Sequence, residues 1–185
     1  MILAIDTATR IIGLALATEQ AIVAEAAWHT QNNHTIELAP ALERMLAGQG
    51  ISVNALTAIA VAVGPGSFTG VRIGLGVAKG LSLAAKPNLP LIGVPTLDIV
   101  ARALSQGRVL AVIQAGRGRV VWAQYVDGQA ASPAALGNWE EVAAHANGGH
   151  ILCTEPIARA ATEMGEIETR PIGERHFRNV AYPVA

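Results

Sequence analysis

The stretch Gly64-Pro65-Gly66-Ser67-Phe68-Thr69-Gly70-Val71-Arg72-Ile73-Gly74 decides how this chain is read. It follows an apolar run, Ala58-Ile59-Ala60-Val61-Ala62-Val63, and opens a glycine-laden segment that reaches Gly80. A short apolar run bounded by Gly and Pro reads as a buried strand. The turn after it gives way to a helix expected over Arg72–Ala85. Glycine adopts positive φ freely and lets another backbone come close. Something therefore approaches here, either a phosphate or another protein segment.

Upstream, Ile2–Ile5 reads as a strand ending in the polar turn Asp6-Thr7-Ala8-Thr9, with Ile12–Ala17 and Ala21–Trp28 as the next two strands. Their short connections imply antiparallel neighbours. A cap-rich stretch, Gln31-Asn32-Asn33-His34-Thr35, then precedes Leu38, Ala41, Leu42, Met45 and Leu46 at helical spacing, so a helix is expected over about Thr35–Leu46. Pro40 is expected in or near its first turns, and Gly48 and Gly50 end it. Downstream, Leu89–Val94 reads as a strand and Thr96–Ala103 as a helix that closes the first half. The order βββαβαβα is that of an RNase H-like domain.

Past Ser105-Gln106-Gly107 the chain starts again. Val109–Gln114, a turn at Ala115-Gly116-Arg117-Gly118 and Arg119–Val126 form a second hairpin, with Gln114 standing where Asp6 stood. Trp139–Ala146 reads as a helix, Ile151–Thr154 as a strand and Glu155–Met164 as a helix; the tail from Arg170 is not placed. The weak internal repeat implies duplication, with an N-terminal lobe over residues 1–104 and a smaller, degraded lobe over 105–185.

Composition narrows the function. Thirteen Lys and Arg against fourteen Asp and Glu give a net charge of −1, so there is no global basic footprint for nucleic acid, and contact with it would need a partner. One cysteine, Cys153, excludes an internal disulfide and fits a reducing compartment. The N-terminus has no basic segment ahead of its apolar run, so it is not read as a signal peptide. Met45–Val71 carries no charge but is broken by Gly, Pro, Ser, Thr and Asn, so no membrane span is expected. The expected location is the cytoplasm.

Leu3-Ala4-Ile5-Asp6-Thr7-Ala8-Thr9 together with the Gly64–Gly74 string resembles the TsaB (YeaZ) family, and Ala78-Lys79-Gly80-Leu81 and Gly93-Val94-Pro95-Thr96-Leu97 extend the likeness. It covers the first half; the second half matches only around Arg117–Trp122. The resemblance implies an α/β, duplicated RNase H-like fold of the actin, Hsp70 and sugar kinase superfamily with a reduced second lobe. It also implies a non-catalytic subunit of the complex that makes threonylcarbamoyladenosine in tRNA. The implied partners are the catalytic paralogue TsaD and the small ATPase TsaE, with a homodimer when the chain is alone and tRNA met only through the complex. No cofactor of its own is implied, while ADP or ATP at the assembled interface stays open. The chain is short for the family, and its second lobe is expected to be trimmed at the C-terminal end.

Gly74, Gly76 and Gly80 would each cost about 1 kcal/mol inside an ordinary helix. Either they pack the helix on its own sheet or they open a groove for a partner helix. The resemblance favours the partner, and the expected interface is Thr35, Leu38, Leu42 and Met45 from the first helix with Ile73, Gly74, Gly76, Val77 and Gly80 from the second. A P-loop is not formed, because no Lys ends the loop; Gly66, Ser67 and Arg72 remain candidates for holding a small anion at the helix start.

Catalysis finds less support. Asp6 could serve a kinase or phosphohydrolase, which is the alternative reading, but Ala8 replaces the glycine of the Asp-x-Gly phosphate turn, and a strand-end Asp also bonds its own backbone. Ser67 lacks the Gly-x-Ser-x-Gly elbow. His34 and Glu37 have no second His, and His29, His145, His150 and His176 form no ligand set, so no metal is expected. Arg117 and Arg119 read as a solvated basic turn, with a minor tRNA or nucleotide contact in the complex left open.

Overall fold

A computed structural model describes residues 1–30, 33–85, 89–104, 106–146, 149–153 and 170–171. The helix expected over 155–164 and nearly all of the tail lie outside these residues.

The first unit holds one mixed sheet. Its strands are β1 (Ile2–Asp6), β2 (Ile11–Ala17), β3 (Ile22–His29), β4 (Ala58–Ala62) and β5 (Leu91–Val94), in the order β3-β2-β1-β4-β5. β1, β2 and β3 form an antiparallel meander, while β4 runs parallel to both β1 and β5. Alternation does the sorting. Leu3 and Ile5 of β1, with Ile12, Leu14 and Leu16 of β2, are buried on one face, and the residues between them are only half-buried. Successive side chains of a strand point to opposite faces, so the apolar phase selects which face the helices cover.

That face receives α1 (His34–Gly48) and α2 (Phe68–Ala85). Leu38, Leu42, Met45 and Leu46 recur at helical spacing and enter the same core as Ile59, Val61 and Ala78. Burying each large apolar side chain contributes about 1.5–3 kcal/mol. Pro40 lies inside α1, in its second turn. The N–H it lacks would have bonded the carbonyl of Ile36, and both residues are exposed, so water can serve that carbonyl. α2 begins at Phe68, a turn earlier than the expected Arg72.

The second unit contains the described residues from Pro95 onward, together with Gly64–Ser67. Its strands are β6 (Arg108–Gly116), β7 (Arg119–Val126), β8 (Gln129–Ala130), β9 (Ala135–Gly137), β10 (His150–Cys153) and β11 (Arg170–Pro171). β6 pairs antiparallel with β7 and parallel with β10, as β1 pairs with β2 and β4. β8 and β9 both join the far edge of β7, where β3 joins β2, and β11 stands beside β10 as β5 stands beside β4. The repeat is therefore written in the strand order. The second copy is smaller: α4 (Trp139–His145) has 7 residues where α1 has 15.

From sequence alone the helix after Pro95 belongs to the first lobe and the boundary falls at 104/105. The compact units instead divide between Val94 and Pro95. α3 (Thr96–Ala101) buries Leu97, Val100 and Ala101 against Val109, Ala111, Ile113 and Ala123 of the second sheet. The Tyr125 hydroxyl also donates to Asp98 at 2.5 Å. Burial and this hydrogen bond tie α3 to the strands that follow it. The other face of the second sheet is covered by α4, through Trp139 and Val142 on Leu110, Val112, Trp122 and Ile151. Asn138 caps α4 by accepting from the Glu141 N–H at 2.9 Å. Among the described residues, no helix is long and apolar enough to cross a membrane.

Candidate functional site

The start of α2 is clamped by the residue that follows β1. Thr7 is buried, and its hydroxyl donates to the Gly70 carbonyl at 2.8 Å. One turn on, a Cβ at Gly74 would collide with Thr7 Oγ1 and lie 3.6 Å from Val61 Cγ2. Gly74 is thus the close approach that the sequence announced, and what approaches is the turn that follows this chain's own first strand. Ala78, one further turn along, is fully buried against the same sheet.

Gly76 and Gly80 behave differently. Both are exposed, and among the described residues a Cβ built on either meets nothing within 4 Å. At about 100° per residue, Gly76 lies roughly 200° around the helix from Gly74 but only about 40° from Gly80. One stripe of small residues therefore faces the sheet and another faces outward. Ile73 and Val77 flank the outward stripe, partly buried against the core. Leu83 continues it one turn on and is 79% exposed. Phe68 is 75% exposed at the start of the helix, with the Arg72 guanidinium 5.2 Å from its ring centre.

On α1 the expected interface divides. Leu38, Leu42 and Met45 lie in the core, at 1%, 5% and 1% exposure, and cannot face a partner. The apolar spacing that marked them as a helix face marked the inner face. Thr35 is exposed, beside Ile36 at 73%. Ile36, Phe68 and Leu83 were not singled out from the sequence. Assigning Gly70, Gly74 and Ala78 to the sheet would have placed Leu83 on the opposite side of α2.

The anion candidates fall on different units: Gly66 and Ser67 group with the second and Arg72 with the first. Asp6 Oδ1 accepts from the Ala8 N–H at 2.9 Å, so the carboxylate closes its own turn. Burial pushes the Asp6 carboxyl above its ordinary 3.8, against the opposing pull of the Ala8 bond. Gln114 lies near the matching end of β6, opposite Val120 on β7 as Asp6 is opposite Gly13 on β2. The ring of His34 is buried, with Nε2 3.2 Å from the Thr9 carbonyl, and Glu37 accepts from the Trp28 indole at 2.9 Å. These two side chains serve the packing of α1. Among the described residues, no three His, Cys, Asp or Glu converge.

The family described as "TsaD: tRNA N6-adenosine threonylcarbamoyltransferase" matches residues 22–173. The tRNA threonylcarbamoyladenosine biosynthesis protein TsaB of Escherichia coli is 44% identical over 131 residues, which are 67% of this chain and 54% of that protein. The protein of the same name from Bacillus subtilis is 36% identical over 126 residues, 67% of this chain and 54% of its own length. The chain thus spans about half the length of these relatives. YeaZ from Pseudomonas aeruginosa superposes with a TM-score of 0.71 at 32% identity, covering 81% of this chain and 73% of that one. With the family match over most of the chain, the relatives and the solved structure in agreement, the chain belongs to the TsaB/YeaZ family.

Proposed function

We propose that this chain is the non-catalytic subunit that binds and supports a TsaD paralogue during threonylcarbamoyl transfer to tRNA adenosine next to the anticodon. The observation that carries the reading is the outward stripe of α2. Among the described residues, two glycines face open space, with exposed Leu83 one turn beyond, on a helix that buries Gly70, Gly74 and Ala78 on its inner side. A glycine in a helix interior costs about 1 kcal/mol against alanine, and among the described residues none lies within 4 Å of a Cβ built at Gly76 or Gly80 to offset that cost. A partner helix lying close along the stripe would recover it by burying Ile73, Val77 and Leu83. Ile36 and Thr35 of α1 supply the second side of the face.

The same face is expected to hold a homodimer when the paralogue is absent, because a surface that fits one helix pair of this fold fits another of related shape. The TsaE-type ATPase and tRNA join through the complex. No cofactor is assigned to this chain alone, since Asp6 is engaged with its own turn and Gln114 carries no charge. Adenine nucleotide belongs in this reading only to the assembled interface.

Light scattering on a sizing column tests this, with the chain alone and mixed with the TsaD paralogue of its own organism. A homodimer that converts to a heterodimer is the expected result. A monomer that ignores the paralogue would overturn the reading.

A further inference from the structure

The tip of the second hairpin is left unused by the docking face. β6 and β7 pair Gly116 with Arg119, which leaves a two-residue loop, Arg117-Gly118. Both loop residues have positive φ, at 55° and 73°, and Gly116 has 74°. Positive φ at both central positions is the type I′ hairpin turn, which favours Asn, Asp or Gly at its first place because a larger side chain crowds the backbone there. Arg117 stands at that place. Among the described residues, the one other non-glycine with positive φ is Asp127, and its carboxylate accepts from the Gly107 N–H at 2.8 Å. Asp127 thus repays its conformation with a hydrogen bond.

Arg117 gives the fold no such return. It and Arg119 are exposed, and among the described residues neither guanidinium has a hydrogen-bond or ion-pair partner. Nothing acidic lies between Gln114 and Arg119. An arginine held where glycine or asparagine would fit better directs attention to something outside the chain. Two planar, permanently charged donor groups on a short rigid turn suit phosphate oxygens, which a guanidinium can grip with two hydrogen bonds at once. Bare glycines on both sides of Arg117 leave room for a bulky backbone to approach.

We propose that Arg117 and Arg119 at the tip of the β6–β7 hairpin contact the phosphate backbone of the tRNA on which the complex acts. This rests on the function proposed above, which supplies the RNA. The net charge of −1 makes the contact a local addition to a grip held mainly by the partner.

The test is a salt titration of tRNA binding. Transcribed, unmodified tRNA is titrated with the chain mixed with its TsaD paralogue, at several KCl concentrations, for the natural chain and for Arg117→Asn/Arg119→Gln. Asparagine suits the turn, so the variant should keep the fold and melt at the same temperature or higher. Expected is roughly 3- to 10-fold weaker binding near physiological salt, and a slope of log affinity against log salt shallower by about one to two. Equal affinity and slope for natural and variant complexes would overturn the proposal. Light scattering on the same samples separates the two readings. Assembly without any effect of the arginines removes this inference alone, whereas a natural chain that fails to assemble removes the proposed function and this inference with it.

Discussion

Thr7 and Gly74 show how one missing side chain positions a helix. The Thr7 hydroxyl reaches the Gly70 carbonyl because residue 74 carries no Cβ to obstruct it. Gly74→Ala is therefore expected to destabilise the chain by about 1–3 kcal/mol, the usual range for overpacking. Urea melts check this, and Thr7→Ala should relieve part of the effect when combined with it. At Asp6 the expectation runs the other way. Burial disfavours its charge, so this group contributes most stability when protonated, and that contribution is lost as pH rises from 3.8 through its raised folded value. Asp6→Asn keeps an oxygen for the Ala8 N–H and removes the charge. The variant should melt no lower than the natural chain at neutral pH and should still assemble; loss of a nucleotide turnover present in the natural chain would favour the kinase or phosphohydrolase reading. Tyr125 is pushed above its ordinary 10.0, first by burial and then by its hydrogen bond to Asp98 and that group's charge. The unfolded chain releases this proton first, so the stability it supplies is complete below pH 10 and falls as pH rises beyond it. Tyr125→Phe should lower stability by about 1 kcal/mol at neutral pH and make the alkaline loss shallower, as read from melts between pH 8 and 11.

At the scale of the element, α2 has two faces with different work. Gly70, Gly74 and Ala78 let it lie close on the sheet, and Gly76, Gly80 and Leu83 form a stripe that is exposed among the described residues. Gly76→Leu and Gly80→Leu are expected to keep the fold, since their Cβ atoms meet open space, and even to raise helix propensity slightly. Both should block homodimer and heterodimer formation on the sizing column by filling the groove. A folded mutant that still associates would move the interface off α2. The contrast with Gly74→Ala is the diagnostic: one inward substitution weakens the fold, while the outward ones change association alone.

Across the whole molecule, one strand plan is used twice with unequal investment. The first unit covers one face of its sheet with helices of 15 and 18 residues, and the second covers two faces with helices of 6 and 7. The long helices of the first unit have surface to spare once their inner faces are buried, and that surplus is where the docking reading lies. The short helices of the second have little left over, and its unexplained surface is instead the charged hairpin tip.

Most of the strands were legible in the sequence because alternation and turn residues are local: Ile2–Asp6, Ile11–Ala17 and Arg119–Val126 are found where pattern and glycine place them. The two-residue β8 and three-residue β9 carry too little pattern to read. The glycine string announced a close approach, and that was correct. What came close was not encoded locally. A run of Gly74, Gly76 and Gly80 looks uniform along the chain, and only the rotation of α2 against β1 and β4 separates the one that meets Thr7 from the two that meet nothing among the described residues. In the same way, spacing gave α1 a single apolar stripe, and only its seat on the sheet showed that Leu38, Leu42 and Met45 are core. The sequence by itself determined most of the elements and the family, because these follow from local pattern and motif. The tertiary structure decided which unit owns α3 and which side of each helix is free, because burial depends on residues far apart in the chain.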